Sequence, residues 1–194
     1  EFKKLAEGSR SDEIAVALKS CEEYKFYDMM EQEINYEVRC ETKVSRKEFD
    51  MSPAFADKKG LKVYFSSSRE ESFGSGRDPI TGEKYMDIYV AEFDKNGDPT
   101  NVASIDEDGI VNTSESEGTV CFDKKFKTMY FTRCPNKDKM MLGCDIWKVN
   151  IVDGQFVDPT KFNLKQDEKE SVGHPCLTTD GMMLIFASDM KSSG

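Results

Sequence analysis

With a formal net charge of −10 and no window that concentrates lysine and arginine, this chain of 194 residues lacks the basic face that binding to nucleic acid or an anionic membrane requires. Hydrophobic residues make up 38% of it and charged residues 33%, a mixture that suits many short strands, each burying one face, better than a thick helical core. Because no apolar run is long enough to cross a bilayer, we expect neither nucleic acid as a partner nor a transmembrane segment.

The chain opens with one predicted helix and one predicted strand. Apolar residues recur at helical spacing between Ile14 and Tyr24, which predicts a helix from about residue 11 to about residue 31. Apolar residues then alternate with polar ones from Ile34 to Cys40, which is the period of a strand. The predicted organisation is therefore a helical segment at 1–33 and a β domain at 34–194.

The β domain repeats a pattern of strand, tight turn and strand. The segment from Gly118 to Thr132 matches the segment from Gly173 to Ala187 at a constant offset, and the segment from Ser52 to Ser66 is an earlier copy. The dipeptides Lys59-Gly60 and Asp180-Gly181 are turn signals between the two strands. One such unit cannot bury both of its faces, so we expect neighbouring units to stack.

Two further strands follow in the first two units. Asp87-Ile88-Tyr89 and Asp145-Ile146-Trp147 begin the third strands, and Asn96-Gly97 and Asp153-Gly154 are turns before predicted fourth strands. Units of four antiparallel strands predict β-propeller blades, at about 45–110, 111–170 and, incompletely, 171–194. The predicted fold class is mainly β, an incomplete β-propeller preceded by a short helical segment, and so few units do not close a ring.

The units resemble the Pro-Asp-type, TolB-like propeller repeats of Bacteroidota envelope proteins. Pro53-Ala54-Phe55, Pro175-Cys176-Leu177 and Asp145-Ile146-Trp147 carry the likeness, whereas Asp123-Lys124-Lys125-Phe126 lacks the usual Asp-Gly turn. A closer similarity is to the PorE/OmpA-family component of the type IX secretion system, in which tetratricopeptide-like helices precede the propeller. Four segments carry it: Ala17 to Cys21, Ser67 to Glu71, Met129 to Cys134, and Phe186 to Met190.

This resemblance implies a scaffolding or protein-interaction module of a periplasmic assembly associated with the outer membrane. Its partners would be other envelope or secretion-system proteins. It also implies that the segment at 1–33 ends a tetratricopeptide-like region. Peptidoglycan would be bound only by a domain outside these residues.

Catalytic and metal-binding patterns are weak in this sequence. The single histidine, His174, has no G-x-S-x-G nucleophile to serve, so we interpret it as a polar residue at a strand entry. Asp94 to Asp98 begins like a calcium loop, but the required glycine and terminal acid are replaced by Pro99 and Ile105, which favours a hairpin turn. We therefore expect no cofactor, no metal and no enzymatic activity.

A propeller-type enzyme, such as a glycosidase or a peptidase accessory domain, remains the alternative. The chain has 37 acidic residues, which leaves room for a catalytic carboxylate pair. Carboxyl groups with raised pKa values that converge in a central channel would favour this alternative.

A long loop between the second and third strands is the candidate partner-binding segment. It covers residues 70–85, and charged residues at and near it could meet a partner surface: Arg69, Arg77, Asp78 and Lys84. A merely solvated loop is the competing interpretation. The acidic run from Asp106 to Asp108 is also predicted to be a solvated loop.

Cysteine positions predict one disulfide. Cys134 ends the second strand of the middle unit and Cys144 precedes its third strand, so the two residues should face each other at the mouth of one hairpin. Such a bond would fit an oxidising periplasm. Cys121 and Cys176 occupy equivalent positions in successive units and are predicted to be free thiols in the core. A pairing of Cys21 with Cys40 stays open.

Overall fold

The computed structural model describes residues 15–16, 18–20, 22–23, 40–79, 81–135 and 142–191, and it divides into two units, Glu1–Cys40 and Glu41–Gly194. In the first unit, all described residues from 15 to 23 are α-helical, in agreement with the predicted helix. The rest of that helix, and residues 34–39 of the predicted strand, lie outside the described residues; Cys40 is exposed and outside any strand. None of the helices in the described part is long and apolar enough to cross a membrane.

The second unit contains antiparallel sheets, as the mainly β prediction requires. Strand order is β1-β2-β3-β4 in the first sheet, β5-β6-β7-β8 in the second and β9-β10 in the third, and the described strands do not close into a ring. The strands are β1 (Asp50–Phe55), β2 (Lys62–Ser67), β3 (Asp87–Phe93), β4 (Pro99–Ser104), β5 (Ser116–Phe122), β6 (Thr128–Cys134), β7 (Asp145–Val152), β8 (Gln155–Lys161), β9 (Val172–Leu177) and β10 (Leu184–Ser188).

The turn between the first two strands of each sheet keeps its shape although its sequence changes. Gly60 and Gly181 have φ values of 67° and 74°, and Phe126 occupies the same position in the second sheet with a φ of 56°. In that turn the Asp123 carboxylate accepts hydrogen bonds from the N–H groups of Lys127 at 2.6 Å and Thr128 at 2.8 Å. The Asp123 carboxylate thus stabilises a turn that has phenylalanine where the other two turns have glycine.

The Asp94 segment is a hairpin turn between β3 and β4, as predicted. The Asp94 carboxylate accepts hydrogen bonds from the N–H groups of Asn96 at 2.8 Å and Asp98 at 3.0 Å, and Gly97 has a φ of 84°. Both donors are backbone N–H groups of the turn itself, which is typical of an aspartate that closes a tight turn.

Successive sheets meet along a seam that is built in the same way twice. A β-bulge gives the third or fourth residue of the leading strand a positive φ: 55° at Ser52 in β1, 47° at Thr119 in β5 and 55° at His174 in β9. The Thr119 N–H donates to Ser66 Oγ of the first sheet at 3.1 Å, and the His174 N–H donates to Thr132 Oγ1 of the second sheet at 2.9 Å. Each bulge therefore orients one backbone N–H group so that it donates a hydrogen bond to the neighbouring sheet.

Apolar side chains from the first two sheets and from the connection between them form the main core of the second unit. The buried residues are Ile88, Val111, Val120, Met129, Phe131, Val149 and Phe156. Phe65 and Tyr89 of the first sheet are also buried and form a second cluster with Ala91.

A buried arginine lies over an aromatic pair in each four-stranded sheet. The Arg69 guanidinium lies 5.0 Å from the ring centroids of both Phe65 and Tyr89. The Arg133 guanidinium occupies the corresponding place in the second sheet, 4.4 Å from the Trp147 ring. Contacts of this kind stabilise a desolvated guanidinium.

Candidate functional site

Three cavities open at one end of the sheets, the end at which β1, β5 and β9 begin; we call it the cavity end. The seam cavity, of about 360 Å³, lies between the second and third sheets, with Met51 and Ser66 of the first sheet also in its wall. The other two cavities, of about 410 Å³ and 280 Å³, lie at the ends of the first and second sheets. Because the loops after β2 and β6 also end here, this is the part of the described chain best placed to meet a ligand or a partner.

The seam cavity is lined mainly by small and apolar groups. Its lining includes two glycines, Gly118 and Gly173, together with Thr119, Thr132 and the exposed His174. The hydroxyl groups of Thr119 and Thr132 are 2.6 Å apart and hydrogen-bonded to each other. His174 thus contributes its backbone to the seam, in keeping with its interpretation as a polar residue at a strand entry.

A disulfide between Cys134 and Cys144 borders the same cavity. It joins the end of β6 to the residue before β7, the arrangement that the hairpin pattern predicts, with the Cα atoms 4.0 Å apart. Ser171 Oγ accepts a hydrogen bond from the Cys144 N–H at 3.1 Å, and the Cys144 carbonyl accepts one from the Val172 N–H at 3.1 Å. The cross-linked hairpin mouth is therefore also tied to the third sheet.

Asp87 is the most perturbed group at the cavity end. It begins β3 and is 2% exposed; its Oδ2 accepts a hydrogen bond from the Phe73 N–H at 2.6 Å. Among the described residues, none donates a hydrogen bond to its Oδ1. Burial raises the pKa of Asp87 to about 7, and the nearby carboxylates of Glu117 and Asp106 act in the same direction.

The corresponding residue of the second sheet, Asp145, is fully paired. Its carboxylate accepts from Lys165 Nζ at 3.0 Å and from Lys161 Nζ at 3.3 Å. The same repeat position therefore carries different electrostatics in the first two sheets. Asp87 makes no salt bridge among the described residues, although the charge of Lys84 acts to lower its pKa, whereas Asp145 pairs with two lysines.

Among the described residues, Glu117 is the second carboxyl group whose pKa is raised. It is 1% exposed, accepts from Arg133 Nε at 2.8 Å and from the Thr113 hydroxyl at 2.5 Å, and burial raises its pKa. Glu117 lines the seam cavity whereas Asp87 lines the cavity of the first sheet. The two carboxyl groups consequently do not face one cleft, which a glycosidase pair must do.

Of the candidate partner-binding residues, Arg69 is buried and the other three lie in the loop after β2. Arg69 is 2% exposed and pairs with Asp50 at 3.3 Å, so its guanidinium lies inside the fold and is not available to a partner. Arg77 is exposed and pairs with Glu70 at 2.6 Å. Lys84 Nζ donates to the Gly74 carbonyl, and the Asp78 carboxylate accepts from the Thr81 N–H at 2.8 Å. The loop after β2 is thus internally bonded, and its binding role stays a prediction.

Two expectations from the sequence are wrong in part. Glu107 and Asp108 are exposed, as predicted, but Asp106 is 8% exposed and accepts from the N–H groups of Val111 at 2.6 Å and Asn112 at 3.1 Å, which shapes the connection between the first two sheets. Cys176 is a free thiol but an exposed one, because β9 leaves that face uncovered. Cys121 is free as predicted and half-buried, and burial raises the pKa of its thiol to about 11, so it is a poor nucleophile.

Sequence reasoning missed the roles of Asp87, Glu117 and the two seam glycines. One signal was available, since Gly118 and Gly173 recur at the repeat offset ahead of each bulge. Nothing in the sequence distinguished Asp87 from Asp145, because both begin the same strand pattern.

No protein-family model matches the chain, and no curated protein or solved structure matches it either. A functional proposal therefore rests on the geometry of the cavity end and on the sequence repeats.

Proposed function

We propose that residues 41–194 are consecutive blades of a β-propeller that acts as a non-catalytic scaffolding module of an envelope assembly. The observation that carries the proposal is the repeated seam. Two successive pairs of sheets meet through the same bulge, the same backbone donor and the same hydroxyl position, at Thr119 with Ser66 and at His174 with Thr132. Identical seams between successive antiparallel sheets are what radial repetition of a blade requires.

The carboxyl groups support a non-catalytic role over the enzyme alternative. Glu117 is held by Arg133 and Thr113, and both partners are used in packing the second sheet. Asp87 lines another cavity, which it shares with Glu71, Asp106 and Glu107. In that cavity Glu71 pairs with Arg46, and Asp106 accepts from backbone N–H groups. A glycosidase would need two carboxyl groups about 5–10 Å apart across one substrate cleft.

The Cys134–Cys144 disulfide supports an oxidising compartment, since such bonds persist mainly in secreted and periplasmic proteins. With the resemblance of the repeats, we place the chain in the periplasm, in an outer-membrane-associated assembly such as the type IX secretion system. Its partners are other envelope or secretion-system proteins, and they dock at the cavity end.

Site-specific photo-crosslinking in the source cells tests this function. A photoreactive amino acid at Arg77, which is exposed in the loop after β2, should give adducts of defined mass with envelope proteins. The matched control is Lys124, which is exposed in the β5–β6 turn at the opposite end of the sheets and should give none. Equal adduct patterns at both positions, or recovery of the protein in the cytoplasmic fraction, would contradict the proposal.

A further inference from the structure

One repeat position holds a neutralised carboxylate in the second sheet and a carboxyl group without a cation in the first. Lys165 Nζ lies 3.0 Å from the Asp145 carboxylate and donates to the Gly143 carbonyl at 2.9 Å. The Lys165 side chain is only 9% exposed, so the second sheet builds a buried site for one ammonium group. Asp87 begins the equivalent strand of the first sheet, and among the described residues its buried Oδ1 has no hydrogen-bond partner.

The first sheet has other residues at the positions of the two lysines that pair with Asp145. Lys161 lies opposite Trp147 in the strand register, and Ser104 lies opposite Tyr89 at the same place in the first sheet. Ser104 lines the cavity beside Asp87, where its short side chain leaves the space that a lysine would fill.

The alignment of the two sheets continues beyond these strands. The N–H groups of Ile105 and Phe162 donate to equivalent carbonyls of β3 and β7. Asp108 therefore occupies the sequence position that corresponds to Lys165. A serine and an aspartate thus replace the two lysines, and neither replacement supplies a positive charge.

The cavity of about 410 Å³ at the end of the first sheet, which we call the first-sheet cavity, has an acidic lining. Four carboxyl groups and two guanidinium groups belong to that lining. Both guanidinium groups already have partners, since Arg46 pairs with Glu71 at 2.8 Å and Arg69 pairs with Asp50 at 3.3 Å. The cavity consequently has negative charge to spare.

Lys84 does not take the place of the missing lysines. Its charge acts on Asp87, but its Nζ donates to the carbonyls of Ser72 and Gly74 and forms no salt bridge with Asp87. A buried carboxylate without a paired cation is costly, and a bound cation removes that cost. Among the described residues, no three carboxylate, histidine or cysteine side chains are grouped so that they could hold a metal ion. An ammonium group is therefore the cation that this site suits.

We propose that the first-sheet cavity binds a primary ammonium group on the Asp87 carboxylate, as the second sheet binds that of Lys165 on Asp145. The ligand is a small primary alkylamine or the lysine side chain of another protein, which share this chemistry. A cavity of this volume admits a chain of that size. The ammonium group donates a hydrogen bond to Oδ1 and neutralises the carboxylate. This inference goes beyond the proposed scaffolding role and does not depend on it.

Titration of the intact protein with n-butylamine at pH 8 tests the site. At this pH the amine is protonated and Asp87 is ionised, because the pKa of Asp87 is about 7. We expect a saturable shift of the Phe73 amide resonance, since that N–H donates to Asp87 Oδ2. Asp87→Asn should weaken binding by about tenfold or more. The matched control Asp153→Asn removes the same charge from an exposed turn and should leave binding unchanged.

Three further ligands test the chemistry and the source of the amine. Tetramethylammonium has the charge without a donor, and 1-butanol has the alkyl chain without the charge, so each should bind at least about tenfold more weakly than n-butylamine. Equal binding of either one, no saturable shift with n-butylamine, or equal binding by Asp87→Asn overturns the inference. Tighter binding of Nα-acetyl-lysine methylamide than of n-butylamine identifies a protein lysine as the ligand, and weaker binding identifies a free amine.

A second variant keeps Asp87 and fills the site from within the chain. Ser104→Lys places a lysine at the register position of Lys161, so it should pair with Asp87 and abolish n-butylamine binding. Cooperative thermal unfolding of this variant shows that the loss of binding is not a loss of fold. Undiminished n-butylamine binding by Ser104→Lys overturns the inference.

Discussion

Replacing Asp87 by asparagine should remove a pH-dependent loss of stability. The folded-state pKa of about 7 lies above the ordinary value of 3.8, so the native state binds the proton more tightly than the unfolded chain does. The stability that this proton contributes is complete below pH 3.8 and is lost as the pH rises through 7. The difference between the two pKa values corresponds to about 4 kcal/mol once the group is ionised in both states.

The physical cause lies in the surroundings of the carboxyl group. Only the Phe73 N–H bonds to it among the described residues, and Oδ1 is buried without a donor. Ionisation therefore places a charge in a poorly solvated site near Glu117 and Asp106. Asparagine keeps an acceptor for the Phe73 N–H and cannot ionise, so its folded state avoids this cost.

Urea denaturation of both proteins at pH 5 and pH 8 measures the effect. Between these values the wild type should lose about 2.5 kcal/mol of unfolding free energy relative to Asp87→Asn. The matched control is Asp108→Asn, which removes the same charge from an exposed side chain and should track the wild type. Equal pH dependence of the wild type and Asp87→Asn would refute the reasoning, as would a wild type that gains stability relative to the variant towards pH 8.

Four further predictions concern the hairpin, the seams and the role of His174. Replacing Cys134 and Cys144 together by serine should lower the unfolding free energy by about 2–3 kcal/mol in urea denaturation, and an unchanged value would show that the bond adds no constraint. Gly118→Ala should cost about 1–3 kcal/mol in the same assay because its Cβ would meet Ser66 Oγ. Adding Ser66→Ala should recover most of that loss, and simple additivity of the two changes would contradict the contact. His174→Gly should gain about 0.5–1 kcal/mol by relieving the positive φ, whereas His174→Ala should leave any hydrolase activity of the intact protein unchanged, as an activity assay of that variant checks.

Local patterns predicted the elements of the second unit well. The repeat of short apolar segments located β2, β6 and β10, and the Asp-Ile-aromatic pattern located the start of β3 and β7. Turn residues placed β4 and β8, because Asn96-Gly97 and Asp153-Gly154 adopt backbone conformations that end one strand and begin the next. The disulfide followed from the same local logic, since a hairpin brings the end of one strand beside the start of the next.

The candidate site could be predicted only in outline. The sequence indicated a long loop after β2 but not that Arg69 turns inward to stack on Phe65 and Tyr89. It also gave Asp106 as one member of a solvated acidic run, whereas the folded chain surrounds that carboxylate with backbone donors. A charged residue is buried when partners from distant segments satisfy it, and sequence spacing does not reveal those partners.

By itself, the sequence determined which residues form strands, where the chain turns, and that the sheets repeat, because backbone conformation and side-chain alternation depend on near neighbours. Only the tertiary structure decided what each face meets. Met51 and Gly118 hold equivalent positions in the repeat, yet one is exposed and the other is pressed against Ser66. That difference arises from packing between sheets, where the space left by one strand limits the side chains that the next strand can carry.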